Sequence, residues 1–227
     1  MINPYKTAGI TKAQCPPLAD IYMERFGKDR KGTFIEVGAF NGINWSATHA
    51  LAILGWGGLL FEPQVDRYND CRRLYTGNPK VIVENCAILD YNGKTKLYLG
   101  GSLSTTSEER VNVYQDVWWA KSSRLDLGRF VEVSCYTLDY MLNKHSIPEG
   151  FEMLVIDVEG AESKVLNSIS LDKWRPQLMM IETHEDNEDE RLSATTGPVE
   201  EIVFSYGYEK LYSNTINTVY GRTDERA

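Results

Sequence analysis

The chain predicts a single α/β domain on a mostly parallel sheet, closed by an antiparallel pair of strands. Three observations carry this. Short apolar runs end in an acid at Phe34-Ile35-Glu36, Leu59-Leu60-Phe61-Glu62, Leu154-Val155-Ile156-Asp157 and Met179-Met180-Ile181-Glu182. Segments of helical period alternate with them, the mark of strand–helix–strand units. The last two apolar runs are separated only by a short polar turn, too short for a crossover helix. At 227 residues, the chain is long enough for one full core and short for two.

In order, residues 1–10 read as a mobile lead-in, and Leu18, Ile21, Tyr22 and Phe26 repeat at helical spacing up to Gly27. Residues 1–31 are thus a lead-in and helix, with the main domain over 32–227. The first strand is Gly32 to Val37. Trp45 to Ile53 reads as the next helix, closed by Gly55. Strand Gly58 to Phe61, helix Gln64 to Tyr75 and strand Val81 to Val83 follow. Asn92-Gly93 between Cys86–Leu89 and Thr95–Leu99 predicts a hairpin. Residues 100–128 break the rhythm and read as an insertion over the sheet's ligand-facing edge. Regularity returns with strand Phe130 to Cys135, helix Thr137 to Lys144, strand Met153 to Ile156, helix Ala161 to Ile169 and strand Gln177 to Ile181. An acidic loop, His184 to Arg191, leads to helix Val199 to Tyr206 and the final strands Tyr208–Tyr212 and Thr218–Tyr220.

The net charge of −8 argues against a nucleic-acid clamp, which needs a basic face. The longest apolar stretch, Ala50 to Phe61, is too short and glycine-broken to span a bilayer. The four cysteines, Cys15, Cys71, Cys86 and Cys135, form no C-x-x-C pair, so a reduced, cytoplasmic setting is expected. Oligomeric state is not legible.

The loop after the first strand has the spacing E-x-G-x-x-x-G, from Glu36 through Gly38 to Gly42. A dinucleotide fold would show G-x-G-x-x-G with a helix N-terminus behind it for the pyrophosphate, which argues against a nicotinamide-dependent oxidoreductase. An acid-led loop without a basic residue suits a cofactor bearing an amine or sulfonium and no phosphate, which describes S-adenosylmethionine. Glu36 is placed to meet its ammonium, and Glu62 its ribose hydroxyls. Asp157 faces the same crevice, while Glu162, in a first helical turn, has a bland explanation in the helix dipole. His184 alone of the three histidines sits on the ligand edge and is the candidate general base, with Asp157 beside it. Asp157, Glu159, Glu182 and His184 can together hold magnesium or manganese, although their spacing does not demand a metal.

Six segments in order resemble the FkbM family of S-adenosylmethionine-dependent methyltransferases. They are residues 34–42, Phe61-Glu62-Pro63, Glu84-Asn85-Cys86-Ala87-Ile88, Val133 to Asp139, Ile156-Asp157-Val158-Glu159-Gly160-Ala161-Glu162, and Arg175-Pro176 before Ile181-Glu182. The resemblance implies a class I methyltransferase, Rossmann-like sheet of seven strands. It implies methyl transfer to a hydroxyl, often on a sugar or glycosylated small molecule. Glu36, Gly38 and Gly42, with Ala39 and Asn41 of the same loop, would line the methionine end of the cofactor, and Asn85, Cys86 and Ala87 the adenine. Glu36 stands where many members carry Asp. A non-catalytic binding protein of the same fold is the alternative.

Overall fold

Seven strands form the central sheet, and their order places the ligand crevice. The structure, a computed structural model, describes residues 2–9, 15–185 and 187–225. Residues 1 and 10 of the lead-in and Asp186 of the acidic loop therefore lie outside the described residues. Strands β1 (Thr33–Val37), β2 (Gly57–Phe61) and β3 (Val81–Glu84) run parallel toward one edge. β7 (Met153–Ile156) and β8 (Leu178–Glu182) run parallel toward the other. β9 (Tyr208–Ser213) and β10 (Asn217–Arg222) complete the order β3-β2-β1-β7-β8-β10-β9, with β10 antiparallel to both its neighbours. The order reverses between β1 and β7, and ligands of open α/β sheets bind outside the strand ends at such a point.

Side chains alternate between faces along each strand. On one face Phe34, Leu60, Val155 and Met180 join a core with Tyr5, Leu18, Tyr22, Leu51 and Trp56. On the other, Ile35, Leu59, Leu154, Ile156 and Met179 pack with residues of α6 (Leu138–Lys144), α7 (Glu162–Leu166) and α10 (Thr196–Ser205). Burying one such side chain stabilises by roughly 1.5–3 kcal/mol, so these two layers fix the sheet.

Three expectations need correction. The lead-in contains a capped helix, α1 (Pro4–Thr7). Asn3 Oδ1 accepts from the backbone N–H of Tyr5 and Lys6, and the buried Tyr5 packs edge-on against Tyr22. The Trp45 helix begins only at His49, as α3 (His49–Ile53). Trp45 has a positive φ, and the hydroxyls of Ser46 and Thr48 are drawn to Glu36 instead of extending the helix. The predicted hairpin is also absent. β4 (Ala87–Ile88) and β5 (Gly93–Tyr98) both pair with β6 (Phe130–Tyr136), which lies between them. Local turn chemistry at Asn92-Gly93 is satisfied differently: the Asn92 carboxamide oxygen accepts from Thr137 N–H.

The insertion is a small folded unit. Ser107 caps α5 (Glu108–Asp116) by accepting from Arg110 N–H, with Glu108 and Glu109 in the first turn, where the helix dipole favours acids. Val111, Tyr114, Val117, Ala120 and Leu125 bury one another against Tyr98 and Leu192. The predicted acidic loop contains a further short helix, α9 (Glu190–Ser193). Among the described residues no helix is long and apolar enough to cross a membrane.

Candidate active site

Strand register sets the floor of the site. Val37 pairs with Phe61 on one side and Ile156 on the other, and Ile156 pairs with Ile181. The next residue of each strand path therefore leaves the sheet at the same level: Gly38, Glu62, Asp157 and Glu182. Glu62, Asp157 and Glu182 extend the rows of Leu60, Val155 and Met180, so by alternation they share a face, and Glu36 shares it one row below. A cavity of about 440 Å³ opens over them, lined by all four acids together with Glu159 and His184.

Glu36 and Glu62 are both buried and both hydrogen-bonded within the protein. Glu36 accepts from Ser46 Oγ at 3.1 Å and from Thr48 Oγ1 at 2.8 Å. Glu62 accepts from Phe40 N–H at 2.8 Å through one oxygen and from Gln64 N–H at 2.7 Å through the other. Each Glu62 oxygen retains a lone pair for a further donor. Burial pushes both carboxyls up to about 7, against the opposing effect of these hydrogen bonds.

Gly38 makes the loop possible. Its φ is +90°, and a Cβ built there would stand 1.7 Å from the Asp157 carbonyl oxygen. The loop's N–H groups of Gly38 and Ala39 both donate to Phe61 O at 3.0 Å, tying β1 to β2 at the floor.

The other sequence-derived candidates divide. Ala39, Cys86 and Ala87 line the cavity, with Ile88 and Phe61 adding apolar wall. Asn41, Gly42 and Asn85 are outside the lining. Asn41 Oδ1 accepts from Ile43 and Asn44 N–H, and Gly42 packs on Cys71 and Tyr75. Asn85 Nδ2 donates to the carbonyls of Glu62 at 2.8 Å and Pro63 at 3.1 Å, so it supports the β2 end from behind.

On the far side, the turn after β7 carries the Asp157-Val158-Glu159-Gly160-Ala161-Glu162 run. Asp157 is held up at about 6, first by burial and then by the nearby Glu162 charge. Glu162 Oε1 accepts from Gly160 N–H at 2.9 Å, which makes it a brace for its own turn. Glu159 has a positive φ, and its carboxylate accepts from Tyr114 Oη of the insertion; its carbonyl accepts from Thr105 Oγ1 at 2.6 Å. Glu159 and Glu182 are both raised well above the usual carboxylate range, first by burial and then by charge, that of Glu182 for Glu159 and those of Asp157 and Glu162 for Glu182.

His184 is buried, not an open-loop residue. Its Nδ1 lies 3.3 Å from the Thr215 carbonyl, which only accepts, so Nδ1 carries the proton and Nε2 presents a lone pair. Burial lowers its pKa, so the ring is neutral near neutral pH. Glu159, Glu182 and His184 each offer one ligand atom within 4.8 Å of the others. The remaining histidines are engaged elsewhere, His49 with Tyr75 Oη and His145 with Glu84.

Several site residues escape sequence reasoning. Ser46 and Thr48 hold Glu36 from a segment that reads as helix, and only their hydroxyls ahead of the apolar run hint at it. Tyr114 lies on an insertion helix with no motif, and Trp45 lines the cavity from the segment that reads as helix.

Residues 36–210 match the methyltransferase FkbM domain, and the chain belongs to this family. A comparison with curated proteins finds no match. Among solved structures, the methyltransferase FkbM from Methylobacillus flagellatus KT superposes with a TM-score of 0.54 at 11% identity, covering 96% of this chain and 58% of the other. The chain thus spans little more than half the length of that protein. The ribosomal protein L11 methylase from Lactobacillus delbrueckii subsp. bulgaricus gives a TM-score of 0.47 at 11% identity, covering 92% of this chain and 79% of its own. The superposition on the Methylobacillus flagellatus protein agrees with a class I methyltransferase fold.

Proposed function

We propose that the chain transfers a methyl group from S-adenosylmethionine to a hydroxyl of a small molecule or glycan, such as a sugar. The row of acids at the ends of β1, β2 and β7, all on one face over one cavity, carries this reading. The donor set fits the cofactor. Glu36 offers a carboxylate to its ammonium, and Glu62 offers two backbone-fixed oxygens to its ribose diol. Cys86, Ala87 and Ile88 offer apolar wall to its adenine. No anion-binding group in the Glu36–Gly42 loop asks for a phosphate.

Bound there, the cofactor would supply a sulfonium methyl to an acceptor oxygen, an O–C bond forming in line as the S–C bond breaks and its electrons stay on the departing thioether sulfur. The protein has to align the partners, exclude water and take the hydroxyl proton. Asp157 and the Nε2 of His184 both face the cavity and are suited to that last task. The insertion closes the opposite wall with Ser102, Ser104, Thr106, Tyr114 and Trp119, a mixture of hydroxyls and rings suited to a polyol.

The test is incubation of the protein with methyl-labelled S-adenosylmethionine and a panel of mono- and oligosaccharides. The expected result is label in an acceptor together with S-adenosylhomocysteine. Cofactor binding without transfer to any hydroxyl compound would favour a binding protein of the same fold.

A further inference from the structure

We infer that Glu159, Glu182 and His184 form a site for one divalent cation of the Mn²⁺ kind, on the acceptor side of the cavity. Its place in methyl transfer rests on the reading above; the site itself does not.

Two observations are independent of the acidic cluster as such. The first is a pair of unpartnered atoms. Glu182 is 6% exposed and His184 5%, yet Glu182 Oε2 and His184 Nε2 have no hydrogen-bond partner. Buried polar atoms of this kind normally find one. The second is their orientation. With its proton on Nδ1 toward Thr215, His184 turns the Nε2 lone pair to Glu182 Oε1 at 3.2 Å. With Glu182 ionised, both facing atoms are lone-pair acceptors, and a cation between them would ligate both. A ligating histidine commonly donates its other N–H to a backbone carbonyl, as His184 does to Thr215.

Charge balance points the same way. Asp157, Glu159, Glu162 and Glu182 surround this corner. Among the described residues no lysine or arginine forms an ion pair with Glu159 or Glu182. The buried Arg110 donates to the Leu192 carbonyl at 3.4 and 3.5 Å and reaches Glu182 only through space, without an ion pair. Buried carboxylates without a paired cation are held by protons or by a metal. Spacing permits the metal. Bonds of about 2.1 Å place ligand atoms ~3 Å apart when adjacent and ~4 Å when opposite, so ligand atoms within 4.8 Å close on an ion with small side-chain shifts. Two carboxylates and one imidazole favour Mn²⁺ over Mg²⁺, which prefers oxygen alone.

Three protein ligands leave positions open toward the cavity for an acceptor oxygen. The ion would then separate the two proton-acceptor candidates: His184 holds the metal, and Asp157 takes the hydroxyl proton as the oxygen attacks.

The experiment titrates the full chain with Mn²⁺ and follows the free-ion signal by electron paramagnetic resonance. Cofactor binding by calorimetry and thermal melting are run on the same samples. The expected result is uptake of one ion per chain by the wild type, weakened at least tenfold in Glu182→Gln and in His184→Ala, with cofactor affinity within threefold of wild type. An unchanged Mn²⁺ signal in wild type that still binds cofactor would overturn the metal site and leave the methyl-transfer reading standing. Uptake unaltered in both folded variants would overturn it as well. Ion uptake by a wild type that binds no cofactor would support the site and remove the methyl-transfer reading. Should one variant fail to fold, the other and the wild-type titration still decide.

Discussion

The strand ends and the insertion supply opposite walls of one cavity by different physics. Glu36, Glu62 and Asp157 are placed by backbone register, in a sheet buried on both faces. Tyr114 and Thr105 are placed by a small core of their own, Val111, Val117, Ala120 and Leu125 around Tyr98. The insertion reaches the sheet through a few side-chain bonds, notably Tyr114 and Thr105 onto Glu159. The first wall is therefore rigid and intolerant, while the second can vary in sequence and adapt to an acceptor without disturbing the floor.

The largest effect should come from Gly38→Ala. A left-handed φ and a Cβ at 1.7 Å from the Asp157 carbonyl force β1 and β7 apart. A loss of at least ~3 kcal/mol in denaturant unfolding is expected, together with lost cofactor binding. Near-wild-type stability would show that the floor is softer than its register implies.

A pH effect of similar origin follows from Glu36 and Glu62, both pushed up to about 7 by burial. Between the ordinary glutamate pKa of 4.5 and about 7, the folded protein keeps protons that the unfolded chain releases. Stability of the cofactor-free protein should therefore fall as pH rises across that window, by ~3 kcal/mol per carboxyl at most. Cofactor affinity should rise over the same range, because its ammonium favours ionised Glu36. Melting temperatures of wild type and Glu36→Gln from pH 5 to 8 check this; the variant should show a visibly flatter fall.

Tyr114→Phe removes one hydrogen bond between the walls. About 1 kcal/mol of stability should be lost, with cofactor affinity unchanged and acceptor turnover reduced more than stability. Equal losses in cofactor binding would mean the walls are coupled. Trp118→Ala should change least: the side chain is 82% exposed, and stability should stay within about 0.5 kcal/mol by thermal melting. Any effect should then appear as a raised KM for a saccharide acceptor.

How far the sequence was legible follows the same division. The strands ending at Glu36, Glu62, Asp157 and Glu182 could be read because each is a short apolar run stopped by an acid, and the closing strands Tyr208–Ser213 and Asn217–Arg222 could be read from their short turn. The pairing of Ala87–Ile88 and Gly93–Tyr98 could not, because Phe130–Tyr136 enters between them from more than thirty residues away. Local turn chemistry carries no information about a third strand. Trp45 to Thr48 misread as helix for a related reason: the hydroxyls that leave the helix serve Glu36, a tertiary partner. Burial of His184 depends on the positive φ that folds it back under Thr215, which no local pattern announces.

The proposed activity requires the acids at the ends of β1 and β2 to hold the cofactor. Calorimetric titration of S-adenosylmethionine into wild type and Glu62→Gln, with NAD as control, tests it most directly. Micromolar binding to wild type, at least tenfold weaker binding to the variant under conditions where its thermal melt shows it folded, and no heat with NAD are expected. Equal affinity of the two proteins for S-adenosylmethionine, or binding of NAD in its place, would contradict it.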